Sequence, residues 1–320
     1  MSELTIIVPT HNRYEKLKGL LGSLLNQTLS KNKYKIVVVD DCSKDKTQKF
    51  MKEFVKKNKI ISYYRLKEKS GAGYARNEGI KHVKNGYIVF IDDDCILYRN
   101  TLQEIISLLK RYPFIKCFGG DMDTLQDTNL IGRYINYGLG IRYNQKTIKI
   151  KSDLYKVNNI STFLAIYHKD IFNLKYNSQK IRFKKIFKRH EDVEFNLRLL
   201  KSGIKIHYSP KVRCIHNAEN KSLFDFMKRK KLGGVDDFII QNIHPEYPTR
   251  IPNNLKNMIL FVLNIFYKPL SIIKNTELKY LIPFMYFAFI QQIAYNWGIY
   301  TAKKMADKGI SIKMINQLNK

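Results

Sequence analysis

Three consecutive carboxylates, Asp92, Asp93 and Asp94, follow directly on the wholly apolar run Tyr87-Ile88-Val89-Phe90-Ile91. Carboxylates this close repel one another and resist joint ionisation unless a cation joins them. Hard oxygen donors suit Mg²⁺ or Mn²⁺, and Mg²⁺ in particular is held by one or two carboxylates plus the phosphates of a substrate. The triplet therefore reads as a metal–diphosphate site, with a solvated acidic turn as the plainer alternative. Other stretches carry side chains of similar promise. Pro9 to Arg13 and the pair Asp40-Asp41 each follow an apolar run, and Arg76 lies within the small-residue stretch Gly71 to Gly79. Glu191-Asp192 heads a helix-like pattern, and His216 lies beyond the last strand pattern.

Those side chains need elements to hold them. A short apolar run is the mark of a buried parallel strand, and ligands of open α/β sheets bind beyond the carboxyl ends of such strands. Leu4 to Val8, Ile36 to Val39, Ile60 to Leu66 and Tyr87 to Ile91 are predicted as strands of this kind. Between them, helical periodicity runs through Leu17, Leu20, Leu21, Leu24 and Leu25, and again through Phe50, Phe54 and Val55. A third helix opens in the glycines around Gly71 and carries Arg76 on its first turns. Further on, the pattern predicts a helix over Thr101 to Leu109, a strand from Phe114 to Phe118 ending at Gly119-Gly120, and a β-segment over Asn158 to Tyr167. A helix opened by Asp192 runs through Val193, Leu197 and Leu200 to Gly203, and a last strand covers Ile204 to Tyr208. Asp121 to Asp153 has no clear period and is expected as a loop or subdomain over the cleft. The alternation places the chain in the α/β class, with a mostly parallel sheet flanked by helices.

Composition narrows the partners. With 57 Lys and Arg against 27 Asp and Glu, the formal charge of +30 attracts anions: nucleic acid, an acidic lipid surface or phosphorylated substrates. No helix-turn-helix, zinc-finger or RNA-binding aromatic signature accompanies the charge, and acidic strand ends repel a nucleic acid backbone, so no nucleic acid partner is expected. Four cysteines without C-x-x-C spacing argue against a structural zinc or a disulfide framework. They are expected as free thiols in a reducing compartment. The first strand is reached without a basic-then-apolar leader, which predicts a cytoplasmic protein.

In their order, the acidic strand ends resemble the nucleotide-sugar-dependent glycosyltransferases of family 2, which have the GT-A fold, a Rossmann-like sheet flanked by helices. The matching stretches are Ile7-Val8-Pro9-Thr10-His11-Asn12-Arg13, Val38-Val39-Asp40-Asp41-Cys42-Ser43, Gly71 to Gly79, Phe90 to Asp94, and Glu191-Asp192. Any one is weak; five in order on the right elements are specific. The resemblance implies that Pro9, Asp40 and Asp41 line a nucleoside pocket and that Arg76 lies near the diphosphate, where a guanidinium suits bidentate contacts. It further implies Asp94 as the direct metal ligand, Asp92 and Asp93 as holders of sugar, ribose or metal-bound water, and Asp192 as the general base of an inverting transfer. His216 is implied as a second metal ligand, with an ordinary surface histidine as the alternative. Cys42 stands where the family carries glycine. The implied activity is transfer from a nucleotide sugar, most often a UDP-sugar, to a glycan or lipid-linked saccharide with Mg²⁺ or Mn²⁺. A non-catalytic sugar-nucleotide binder is opposed by the intact Asp94 and Asp192.

The expected organisation is a catalytic domain over residues 1–220, with the nucleotide-sugar side at about 1–120 and the acceptor side at about 121–220. A basic flap or linker follows at 221–254, then an apolar helical region at 255–320. Within that region Met258 to Ile273 and Leu278 to Tyr300 are apolar but interrupted by Asn264, Lys268-Pro269, Pro283, Gln291-Gln292 and Asn296, so neither is a clean span. Peripheral attachment to an anionic membrane, at the inner face of the cell membrane, is expected. A helical pair packed on the catalytic domain or in a homodimer is the alternative.

Overall fold

The computed structural model describes residues 4–124, 130–134, 148–216, 222–247, 280–312, 314 and 315. The chain divides into two compact units, one of Met1–Leu125, Lys146–Lys185 and Glu191–Asn217, the other of Gln126–Gln145, Ile186–His190 and Ala218–Lys320.

The first unit begins with β1 (Leu4–Thr10), α1 (Tyr14–Leu25), β2 (Tyr34–Asp40), α2 (Thr47–Lys57), β3 (Ile61–Arg65), α3 (Ala72–Ile80) and β4 (Tyr87–Ile91). It continues with β5 (Cys95–Leu97), α4 (Thr101–Arg111), β6 (Cys117–Thr124), β7 (Ile148–Lys151), β8 (Leu154–Val157) and β9 (Leu164–His168). The short hairpin β10 (Lys175–Tyr176) and β11 (Gln179–Lys180), α5 (Glu191–Lys201) and β12 (Ile206–His216) complete it. Among the described residues ten strands form one sheet in the order β3-β2-β1-β4-β9-β6-β12-β8-β7, with β5 also paired to β12. β3, β2, β1 and β4 are mutually parallel, whereas β9 runs antiparallel to both β4 and β6. Every residue of β1 and β4 is buried, which is why β4 reads as an unbroken apolar run and β1 as one broken only by threonines and Pro9.

Connections from β1 lead first to one side, into β2 and β3, and later to the other, into β4. The switch point of the sheet therefore lies between β1 and β4, and crevices open at such points. Pro9 contributes directly. β1 stays paired with β2 as far as Thr10↔Asp40, but its pairing with β4 ends at Ile7↔Phe90, two residues before the proline that has no N–H to extend it.

Several boundaries differ from the sequence expectation. β6 starts at Cys117 and runs through Gly119-Gly120 rather than ending there. A Cβ on Gly120 would lie 2.5 Å from the Val212 carbonyl oxygen, so these glycines serve strand packing and not a turn. β9 begins only at Leu164, and β12 continues through Val212 to His216. In α2 the fully buried apolar residue is Met51, with Phe50, Phe54 and Val55 half-buried. The inward face of α5 is Glu194, Phe195, Arg198 and Leu199, not Val193, Leu197 and Leu200. Phe195 stacks on Phe183 at 4.4 Å and on Phe172 at 5.7 Å, while Arg198 forks onto Glu194 at 2.9 and 2.7 Å. A buried ion pair hides from apolar periodicity, so the apolar period does not give this face.

In the second unit the basic stretch from Phe224 to Gly234 lies inside α6 (Leu223–Ile243), and the second apolar stretch forms most of α7 (Leu281–Asp307). Pro283 sits in the first turn of α7, where a missing N–H breaks no helical bond. Met258 to Ile273 lies outside the described residues. Phe226, Phe284, Phe287 and Ala288 form a small core with Ile131 and Tyr134. Asp236 of α6 is buried, and its Oδ2 accepts from the amides of Lys188, Arg189 and His190 at 2.9, 2.6 and 3.1 Å.

α6 and α7 cross at glycines. A Cβ on Gly234 would collide with the Tyr295 carbonyl, and one on Gly298 with the Lys231 carbonyl. Gly298→Ala is expected to lower stability by about 1–3 kcal/mol through overpacking against main chain. Thermal unfolding of the variant, with a melting temperature equal to that of the parent, would remove this crossing from the packing of the second unit.

Candidate active site

The carboxyl ends of β1, β2 and β4 converge on the switch-point crevice. Asp93, from the turn after β4, is buried and turned back towards β1, where its Oδ2 accepts from Thr10 Oγ1 at 2.8 Å and its Oδ1 from Arg13 Nη1 at 2.9 Å. Burial, reinforced by the neighbouring Asp94 and opposed by Arg13, pushes its carboxyl up to about 6. Asp94 accepts from the same Arg13 nitrogen at 2.9 Å and lies 3.4 Å from His216 Nε2. Burial favours its neutral form, but His216, and then Arg13 and Lys16, outweigh that and hold its carboxyl well below the usual range. Charge in the triplet is thus balanced by the protein: Arg13 spans two carboxylates, and Asp92 receives Arg76 Nη2 at 2.6 Å.

Arg76 lies on α3 with 2% of its surface exposed. Its second arm donates from Nη1 to Glu191 Oε1 at 2.8 Å, at the start of α5, so one guanidinium ties the triplet to the acid pair. Its Nε is buried without a hydrogen-bond partner among the described residues. Asp192, beside Glu191, occupies the first turn of α5 and is half-buried. An acid there is stabilised by the helix dipole.

Asp40 and Asp41 are both engaged by the protein. Asp40 has no exposed surface and accepts from the Ser43 amide at 2.7 Å, Tyr63 Oη at 2.6 Å and Arg65 Nη1 at 3.1 Å. Asp41 reaches forward to the loop before α3 and accepts from the amides of Ser70 and Gly71 at 2.6 and 2.8 Å. Between them and Ser43, Cys42 has φ of +61°, the left-handed conformation that glycine adopts without cost. Pro9 lies buried at the end of β1, in register with Val39.

The donor set fits a divalent cation in part. Asp94 and His216 stand within reach of one ion, and His216 Nδ1 is a buried nitrogen with no hydrogen-bond partner among the described residues. No cluster of three His, Cys, Asp or Glu side chains occurs among the described residues. Mg²⁺ bound with a nucleotide commonly completes its shell with water and phosphate oxygens. Sequence reasoning singled out the acidic residues, Arg76 and the stretches that hold Arg13 and Glu191, but not the pairings these two make, nor the partners Tyr63 and Arg65. The signal available was charge balance: three adjacent carboxylates require cations nearby, and Arg13 is the basic residue in the loop after β1.

Residues 5–174 match the glycosyl transferase family 2 model, and the chain belongs to that family. The poly(ribitol-phosphate) beta-N-acetylglucosaminyltransferase TarP of Staphylococcus aureus is 31% identical over 205 residues, 62% of this chain and 58% of TarP. A poly(ribitol-phosphate) beta-glucosyltransferase of Bacillus spizizenii is 34% identical over 115 residues, 36% of this chain and 17% of that one. The chain thus spans less than two thirds of the length of these relatives. Among solved structures, the mannosyltransferase PcManGT of Pyrobaculum calidifontis, in complex with GDP-Man and Mn²⁺, superposes with a TM-score of 0.63 at 16% identity over 93% of this chain and 87% of its own. S. aureus TarS 1–349 in complex with UDP gives 0.53 at 18% identity over 96% and 92%. The fold is GT-A.

Removing Arg76 strands two carboxylates at once. Arg76→Met is expected to cost about 3 kcal/mol, the order seen when one partner of a buried pair is deleted, whereas Cys42→Gly should gain up to about 1 kcal/mol by relieving the left-handed residue. Denaturant unfolding measures both. An Arg76→Met variant as stable as the parent would show that the bridge carries no load, and a Cys42→Gly variant that loses stability would show that the thiol contacts outweigh backbone strain.

Proposed function

We propose that the protein is an inverting glycosyltransferase that moves a sugar from a UDP-sugar to a hydroxyl of an anionic glycan or lipid-linked saccharide, with Mg²⁺ or Mn²⁺ as cofactor. The observation that carries this reading is the Arg76 bridge, which holds the triplet after β4 and the Glu191-Asp192 pair on one crevice. Donor chemistry and acceptor chemistry need that proximity. Support for the donor comes from TarS, whose structure holds UDP. Support for the acceptor comes from two sources: relatives named for poly(ribitol-phosphate), and a net charge of +30 that complements a polyanion.

In this reading the diphosphate of the donor lies at the carboxyl ends of β1 and β4, beside Asp94 and His216. A divalent ion would be held there by Asp94 and His216 and would supply positive charge against that of the departing diphosphate. Asp192 accepts the proton of the acceptor hydroxyl while that oxygen bonds to the anomeric carbon, on the face opposite the breaking bond to the diphosphate oxygen. Configuration inverts. Glu191, engaged by Arg76, fixes where its neighbour sits rather than taking the proton itself. Asp40 and Asp41 shape the nucleoside pocket through the loops they hold, with Pro9 forming its floor.

Asp192→Asn is expected to bind UDP as the parent does but to lose roughly 10²–10⁴-fold in transfer, because an amide cannot take the proton. Asp94→Ala should abolish the Mn²⁺-dependent part of UDP binding in calorimetry. Transfer by Asp192→Asn within a few-fold of the parent would move the base elsewhere, and unchanged Mn²⁺ dependence in Asp94→Ala would remove that residue from the metal site.

A further inference from the structure

A helix lying on a protein turns its apolar residues inward and its polar ones to water. α7 does not. Between Leu281 and Tyr300 its exposed residues are Ile282, Tyr286, Phe289, Ile293, Trp297 and Tyr300, with exposures from 41% to 79%. They recur at i, i+4, i+7, i+11, i+15 and i+18, which places them on a single line about 27 Å long. No charged residue occurs from Leu281 to Ala302. The opposite face, with Phe284, Phe287, Ala288, Ala294 and Ile299, is already buried, and the polar Gln291, Gln292 and Asn296 are half-buried, so the helix has two apolar faces.

Such a helix requires a second apolar surrounding, and two features indicate which. The line is rich in Tyr and Trp and ends at Lys303 and Lys304, both exposed, while Lys231 Nζ of α6 lies 4.6 Å over the Trp297 ring. Amphipathic aromatics flanked by lysine are the side chains of a membrane–water interface. Charge separates the occupants further. A second copy would bring its own +30 against this one, whereas an anionic bilayer attracts it. Among the described residues no helix is long and apolar enough to cross a membrane, which leaves the plane of the interface rather than its depth.

We propose that the exposed face of α7 seats the protein on anionic lipid, the helix lying flat at the headgroup boundary. This inference stands apart from the glycosyltransferase reading and needs none of its residues.

Trp297 is the single tryptophan of the chain, so emission excited selectively from tryptophan reports on this face alone. Adding vesicles of phosphatidylglycerol and phosphatidylcholine to the full-length protein is expected to shift its emission to the blue and to shield it from acrylamide. Vesicles of phosphatidylcholine alone should do neither. The double variant Ile293→Asp/Tyr300→Asp, altered only at exposed positions, should melt as the parent does and lose about tenfold or more in vesicle partition measured by flotation. High salt should weaken the parent's binding. Undiminished partition of the double variant overturns the proposal, as does emission that ignores anionic vesicles. A blue shift that grows with protein concentration in the absence of lipid also overturns it, in favour of self-association.

Discussion

One buried guanidinium, gripped by carboxylates 16 and 115 residues further along the chain, sets the geometry of the crevice. An arginine with 2% exposure is tolerated only where partners satisfy its charge. Here the partners are Asp92 and Glu191, and the strand end and the helix start cannot drift apart without stranding it. The remaining support comes from the far side of α5, where Phe195 lies between Phe172 and Phe183 and fixes the rotation of the helix. Rotation of α5 decides which way its first-turn acids point.

A second cation, Arg13, works at shorter range. It spans Asp93 and Asp94 and so lets three adjacent carboxylates coexist before any ligand arrives. The three aspartates are consequently unequal. Asp93 is turned inward and drawn towards neutrality, Asp94 is kept ionised beside His216, and Asp92 belongs to Arg76. Equal residues in a row acquire separate tasks because each meets a different wall of the crevice.

Much of this was legible in the sequence. The central strands, β4 above all, read correctly because buried parallel strands are largely apolar runs ending in polar loops, and the acidic ends marked the crevice. The face of α5 did not, because Glu194 and Arg198 are buried as a pair, and no apolar period records that. Nor did the extent of β6, whose glycines look like a turn until Val212 is seen packed over Gly120. The basic run near Lys228 reads from its charge as a flap or linker; in the structure it is helical, and Gly234, which looks like a break, lies within α6 at its close crossing with α7. Side chains were legible as types, their partners only through the topology that brings distant loops together.

The grip of Asp41 on the Ser70 and Gly71 amides bears on which ligands the sheet admits. In dinucleotide-binding folds with a similar run of parallel strands, the pyrophosphate rests on main-chain amides at a helix start, drawn by the helix dipole. At the head of α3 a carboxylate from the neighbouring strand has taken that seat. A nicotinamide or flavin dinucleotide approaching by this route would meet a negative charge already hydrogen-bonded to the donors it requires. That helix start is thereby taken up by a single side chain that never leaves the protein.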